Sequence, residues 1–142
     1  MTAVTFEKFT KLPQDQIFEV ATNYESFQNL LSEFYPSVRV ISKRPTTTLV
    51  EAHLFLSGKE FVVMQKHVIE KPSLHEIFFV GGDAKGTHIT EKYDQSTDGT
   101  KITLTVDFKY KGSMRLSGFF GKGDVEKEFS KIMDKLIKNA EN

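Results

Sequence analysis

THITEKYDQSTDGTKITLTVDFKYKG, residues 87–112, reads as two β-strands joined by a tight turn. Ile102, Leu104, Val106 and Phe108 alternate with Thr103, Thr105, Asp107 and Lys109, the period of a strand with one buried face. Asp98-Gly99, between strands at 87–95 and 101–109, is a two-residue turn signal. With that turn, Thr97 lies opposite Thr100, Tyr93 opposite Leu104, Glu91 opposite Val106 and Ile89 opposite Phe108. Glu91 and Tyr93 are thereby predicted to point inward, onto an apolar face.

Downstream, DVEKEFSKIMDKLIKNAEN (124–142) has the strongest helical pattern of the chain. Val125, Phe129, Ile132, Met133, Leu136 and Ile137 form one stripe, with Lys and Glu on the other face. Asp124 falls at the expected cap position. Upstream, residues 4–11 are β-type, and Pro13 suits the first turn of a short helix with Ile17, Phe18 and Ala21 inward. Asn23 can cap a second helix over 24–34, with Tyr24, Phe27, Leu30, Leu31, Phe34 and Tyr35 at helical spacing before Pro36. Strands are expected at 38–43, 46–56, 60–70 and 74–80, with Ser57-Gly58 as a hairpin turn and GGDAKG as a loop. Across Ser57-Gly58, Leu54 would face Phe61 and His53 would face Val62. The order is strand, two short helices, six strands, long helix. One helix covers only one face of such a sheet, so the class is α+β.

Length and charge narrow the function. A chain of 142 residues, 39% hydrophobic, fits a single domain over 1–142. Lys plus Arg (19) equals Asp plus Glu (19), which gives no positive excess for nucleic acid or for a polybasic membrane contact. Without cysteine there is no disulfide, thiolate zinc site or cysteine nucleophile. No apolar run reaches the roughly 18 residues of a membrane span, and MTAVTFEKFTKLP lacks the apolar core of a secretory signal. The expected location is the cytoplasm.

Catalytic motifs are scarce. His53, His67, His75 and His88 show no metal-ligand spacing, so no metal is expected. His53, His67 and His75 can each face in or out, and a solvated face is the expectation for all three. GGDAKGTH joins two strands and lacks a GK followed by Ser or Thr, so it is no phosphate loop. No GxSxG elbow occurs. Glu91 is the weak catalytic candidate. It would be either a polar anchor or acid/base in a cavity, or a carboxylate at an open rim or paired with a Lys or Arg.

Three stretches carry a family resemblance: LPQDQIFEVATNYESFQNLLSEFYPSVRVI, the hairpin quoted above, and the C-terminal DVEKEFSKIMDKLIKNAEN. Together they resemble the helix-grip superfamily of START lipid-transfer domains, birch-pollen-allergen-like proteins and polyketide cyclase/dehydrase and lipid-transport proteins. The resemblance implies a curved seven-stranded antiparallel sheet wrapped around the last helix, with a cavity between them. It implies binding or transport of a small hydrophobic molecule such as a lipid, quinone or polyketide, with no cofactor. The expected lining is Phe27, Leu31, Phe34 and Tyr35 near the second helix and His53, Glu91, Tyr93, Leu104, Val106 and Phe108 from the sheet. Met114, Phe119 and Phe120 would either gate the mouth or form a helix start packed permanently into the core, and Phe129 and Met133 would either line the cavity from the last helix or fill core. A cyclase/dehydrase-type enzyme using Glu91, or a protein-interaction module of the same superfamily, remains open as an alternative.

Overall fold

Seven strands form one antiparallel sheet: β1 (Ala3–Thr10), β2 (Ser37–Lys43), β3 (Thr47–Leu56), β4 (Lys59–Glu70), β5 (Leu74–Gly82), β6 (His88–Ser96) and β7 (Gly99–Asp107). Their order is β1-β7-β6-β5-β4-β3-β2. Every step from β2 to β7 is therefore a neighbouring antiparallel pair, and β1 comes to rest beside β7. Between β1 and β2 lie α1 (Gln14–Ala21), a 3-10 turn (Tyr24–Ser26) and α2 (Phe27–Leu30), and the long helix α3 (Lys122–Glu141) ends the chain. This computed structural model describes residues 3–109 and 121–142. The architecture is α+β, as the pattern implied, in the helix-grip form that the resemblance implied.

The inner face of the sheet is written by alternation. Val50, Ala52, Leu54 and Leu56 on β3 are buried, as are Ile102, Leu104 and Val106 on β7. Val125, Phe129, Met133, Leu136 and Ile137 of α3 close over that face, each burial being worth roughly 1.5–3 kcal/mol for side chains of this size. Polar ties fix the helix near both ends. The Ser57 N–H donates to Glu128 Oε1 (2.6 Å), where the β3–β4 turn meets α3. At the other end the Thr10 hydroxyl donates to Glu141 Oε2 (2.7 Å), and Asn139 donates to the Leu30 carbonyl (2.7 Å). The Thr10 bond holds the exposed Glu141 carboxyl below its ordinary range.

The Ser57-Gly58 hairpin forms as expected, with Leu54 opposite Phe61 and His53 opposite Val62. Ser57 (φ 50°) and Gly58 (φ 77°) both take positive φ, as a type I′ turn requires. The last hairpin is displaced. Its turn is Thr97-Asp98, pairing Ser96 with Gly99, Tyr93 with Ile102, Glu91 with Leu104 and Ile89 with Val106. The shift is two residues from the expected partners, so each side chain keeps its face. Gly99 is needed for close approach, not as a turn residue. A Cβ on it would lie 2.1 Å from the Thr10 carbonyl oxygen, and its φ is +148°.

The helical region after β1 is shorter than its spacing suggests. The expected 24–34 helix breaks at Leu31, which leaves helical geometry (φ −124°, ψ 38°), and the Phe34 N–H then bonds back to the Leu31 carbonyl. Asn23 makes no side-chain cap; instead its carbonyl accepts from the Ser26 hydroxyl at 2.7 Å. On α3, Asp124 sits inside the first turn and accepts from the Gly121 N–H at 3.0 Å, since the helix begins two residues earlier than expected. β5 likewise runs two residues into the expected GGDAKG loop, to Gly82.

Gly99→Ala should cost about 2 kcal/mol or more, because the backbone strain comes with a collision that the end of β1 cannot avoid. Gly58→Ala meets open space, and its positive φ alone should cost about 1 kcal/mol. Urea unfolding of both variants checks the order, and equal losses would refute the close-approach account.

Candidate functional site

On β4, Gln65 and His67 are two residues apart and share the inner face, and on β6 so do Glu91 and Tyr93. β5 lies between them and places His75 directly opposite Glu91. All of these side chains are buried, with His67 and His75 each at 1% exposure and Glu91 at 8%. His67 and His75 thus overturn the expectation of solvated faces. The reason is that each ring finds partners inside, so burial leaves no polar atom stranded.

The groups form one continuous chain of hydrogen bonds. Gln65 Nε2 donates to the Tyr35 hydroxyl (3.3 Å), and Gln65 Oε1 meets His67 Nε2 (3.0 Å). His67 Nδ1 meets His75 Nε2 (2.8 Å), and His75 Nδ1 meets Glu91 Oε1 (2.8 Å). The Tyr93 hydroxyl donates to the same Glu91 oxygen at 2.6 Å. Tyr24 covers the middle of the chain, its ring 3.9 Å from that of His67 and its hydroxyl 3.4 Å from His75 Nε2.

Donor chemistry gives the chain a direction. Burial first, and then the neighbouring His75, hold the His67 pKa well below the ordinary histidine range, so His67 is neutral. Its single proton sits on Nε2, because Gln65 Oε1 can only accept. His67 Nδ1 is therefore an acceptor, and His75 Nε2 must donate to it. One proton then occupies the short His75–Glu91 contact, as either imidazolium with carboxylate or imidazole with carboxylic acid. Burial and the Glu91 charge push the Tyr24 and Tyr93 hydroxyls upward. Tyr35 is pushed up to about 12, chiefly by burial. All three phenols stay protonated.

This chain forms part of the wall of a cavity between sheet and helix. From the sheet, His75, Ile77, Ile89, Glu91 and Leu104 line it; α3 contributes Phe129, Ile132, Met133 and Leu136. Ala21, Phe27, Leu31 and Tyr35 close the remaining side. The cavity measures about 40 Å³, room for a few waters, whereas ligand pockets commonly measure several hundred Å³. A ring-sized ligand needs the side chains of α3 to move.

Of the residues singled out from sequence, Phe27, Leu31, Tyr35, Glu91, Leu104, Phe129 and Met133 meet at this cavity. Tyr93, Val106, Phe108 and Phe34 are buried but do not line it, and Tyr93 acts through Glu91. His53 points the other way, half-exposed and 2.6 Å from Glu60, because it alternates with the buried Ala52 and Leu54. Met114, Phe119 and Phe120 lie outside the described residues. His75, with Gln65 and His67 behind it, was missed. The alternation His75, Ile77, Phe79 carried the signal, since all three are buried. Among the described residues no group of His, Asp and Glu could hold a metal ion.

Residues 10–137 match the family described as polyketide cyclase / dehydrase and lipid transport. The chain belongs to that family. Solved structures agree on the fold. TTHA0849 from Thermus thermophilus superposes with a TM-score of 0.82 at 16% identity, covering 97% of this chain and 96% of that one. The Zhui aromatase/cyclase from Streptomyces sp. R1128 gives 0.75 at 12%, covering 98% and 93%. The major latex-like protein 151 of Panax ginseng gives 0.78 at 10%, covering 97% and 96%. No curated protein matches the sequence. Among the described residues of this family member, no helix is long and apolar enough to cross a membrane.

The neutral His67 sets a pH dependence. The unfolded chain protonates its histidines near pH 6.5, while the folded ring at position 67 refuses the proton. Stability present above that pH is therefore lost as pH falls toward the folded value, by up to about 1.4 kcal/mol per pH unit for one proton. Urea unfolding between pH 7.5 and 5.5 should show a steeper fall in the native protein than in His67→Gln. Identical slopes would show that His67 is not held neutral.

Proposed function

We propose that this protein binds a small hydrophobic molecule between its sheet and α3, with Glu91 and His75 as the polar part of an otherwise apolar wall. The observation that carries the reading is that contrast. The sheet side and α3 supply aliphatic and aromatic side chains, and Glu91 and His75 stand among them. Pockets of this composition bind by apolar area and orient by a few placed polar groups. Membership of a family described by polyketide chemistry and lipid transport supports it. Work in the cytoplasm, where a chain without cysteine is at no disadvantage, belongs to the same proposal.

A second reading has one observation in its favour. The 2.8 Å His75–Glu91 contact lies at the cavity wall, where an acid/base pair would serve a cyclase or dehydrase. Binding comes first in either case.

The test is fluorescence titration with N-phenyl-1-naphthylamine, a neutral apolar probe that brightens out of water. Saturable binding near one to one is expected. Met133→Trp, which fills the cavity from α3, should weaken it at least tenfold while leaving the circular dichroism of the fold intact. Absence of saturable binding, or equal binding by a folded Met133→Trp, would overturn the reading.

A further inference from the structure

The two oxygens of Glu91 have different fates. Oε1 is fully engaged, with Tyr93 donating to it and the His75 Nδ1 contact on its other side. Oε2 has no hydrogen-bond partner among the described residues, and Glu91 lines the cavity. It is also not among the sealed-off side-chain atoms that lack a hydrogen bond; among the described residues that condition holds for Asp107 Oδ1 alone, which is ion-paired with Lys109 at 3.4 Å. Oε2 therefore faces the cavity as its unspent polar atom.

The direction of the chain fixes what that atom can do. If the shared proton rides on His75, Glu91 is a carboxylate and both lone pairs of Oε2 are free. If it rides on Glu91, it sits on Oε1, in the short contact with His75, and Oε2 is a carbonyl-type oxygen. Oε2 is an acceptor in both arrangements. The lining contains no Lys or Arg among the described residues that could meet a negative ligand, and bringing an unpaired anion into an apolar cavity carries a large desolvation cost.

We infer that the ligand is a neutral apolar molecule bearing an O–H donor, which it presents to Glu91 Oε2, and that the site rejects carboxylates. This deepens the binding reading above and rests on it. The recognised class is an apolar ring or chain with a hydroxyl or phenol, in contrast to a fatty acid or other organic anion. His75, Tyr93, His67 and Gln65 act as positioning residues: they occupy Oε1 and aim Oε2.

The test compares three probes of one shape at neutral pH, 2-naphthol, 2-methoxynaphthalene and 2-naphthoate, by displacement of N-phenyl-1-naphthylamine. A hydrogen bond to a charged or strongly polar acceptor implies that naphthol binds tenfold or more tighter than its methyl ether, with naphthoate weakest. Glu91→Met supplies the second arm, since it keeps an unbranched side chain of similar length while removing both carboxyl oxygens, Oε2 among them. The naphthol preference should collapse toward one in that variant. In the native protein, methyl ether or naphthoate binding as tightly as naphthol, or failure of all three to displace a bound probe, would overturn the inference while leaving the binding reading intact. No probe binding at all would overturn both. Should Glu91→Met fail to fold, the native probe series decides alone.

Discussion

One helix has to cover one face of a seven-stranded sheet, and most of the structure follows from that shortage. The twenty residues of α3 give a cylinder about 30 Å long and about 10 Å wide. Strands of seven to twelve residues, seven abreast, present a face roughly 30 Å on a side. The helix covers about a third of it. The remainder falls to α1, the short turns after it and large aromatic side chains, which is where Phe18, Tyr24, Phe27, Phe34 and Tyr35 are spent. A core closed by such pieces is the natural place for an unfilled volume. The site is thus a by-product of the architecture before it is anything chemical.

Into that interior the sheet places a polar chain from Gln65 to Tyr93. An unpaired buried group costs about 1–3 kcal/mol, so such a chain is tolerable only when every member is satisfied by the next. Here the strand pairings do the matching: His75 faces Glu91 across β5 and β6, and the i, i+2 spacing on β4 and β6 extends the line at both ends. The histidines within it come from neighbouring strands, His67 from β4 and His75 from β5.

The fold was legible because its signals were periodic. Helical spacing in 124–142 and alternation in 101–109 both survive errors of detail. The last hairpin shows why: mistaking Gly99 for a turn residue moved every partner by two, and an even slip leaves inside and outside unchanged. Glu91 and Tyr93 were therefore found. His67 and His75 were not: on β5 the alternation of His75 with Ile77 and Phe79 was there to read, and for His67 the cause is visible on β4. Its outward residues include Val62 and Val68, and Val62 is 42% exposed. With apolar side chains on both faces there is no contrast from which to tell the inner one. The short helices were over-read because Leu31, Phe34 and Tyr35 keep helical spacing where the backbone has already turned.

The ties at the two ends of α3 give the cavity a mechanical character. Glu128 fastens the helix to the β3–β4 turn and Glu141 fastens it to the end of β1, while Phe129, Ile132, Met133 and Leu136 lie on the span between. A beam clamped at both supports does not lift away; it yields locally. The unbranched, readily rearranged Met133 lies on that span, and a change of its rotamer would enlarge the cavity without moving the helix. Shape selection in such a chamber is graded, each added carbon displacing a little more packed surface, until the clamps themselves give way.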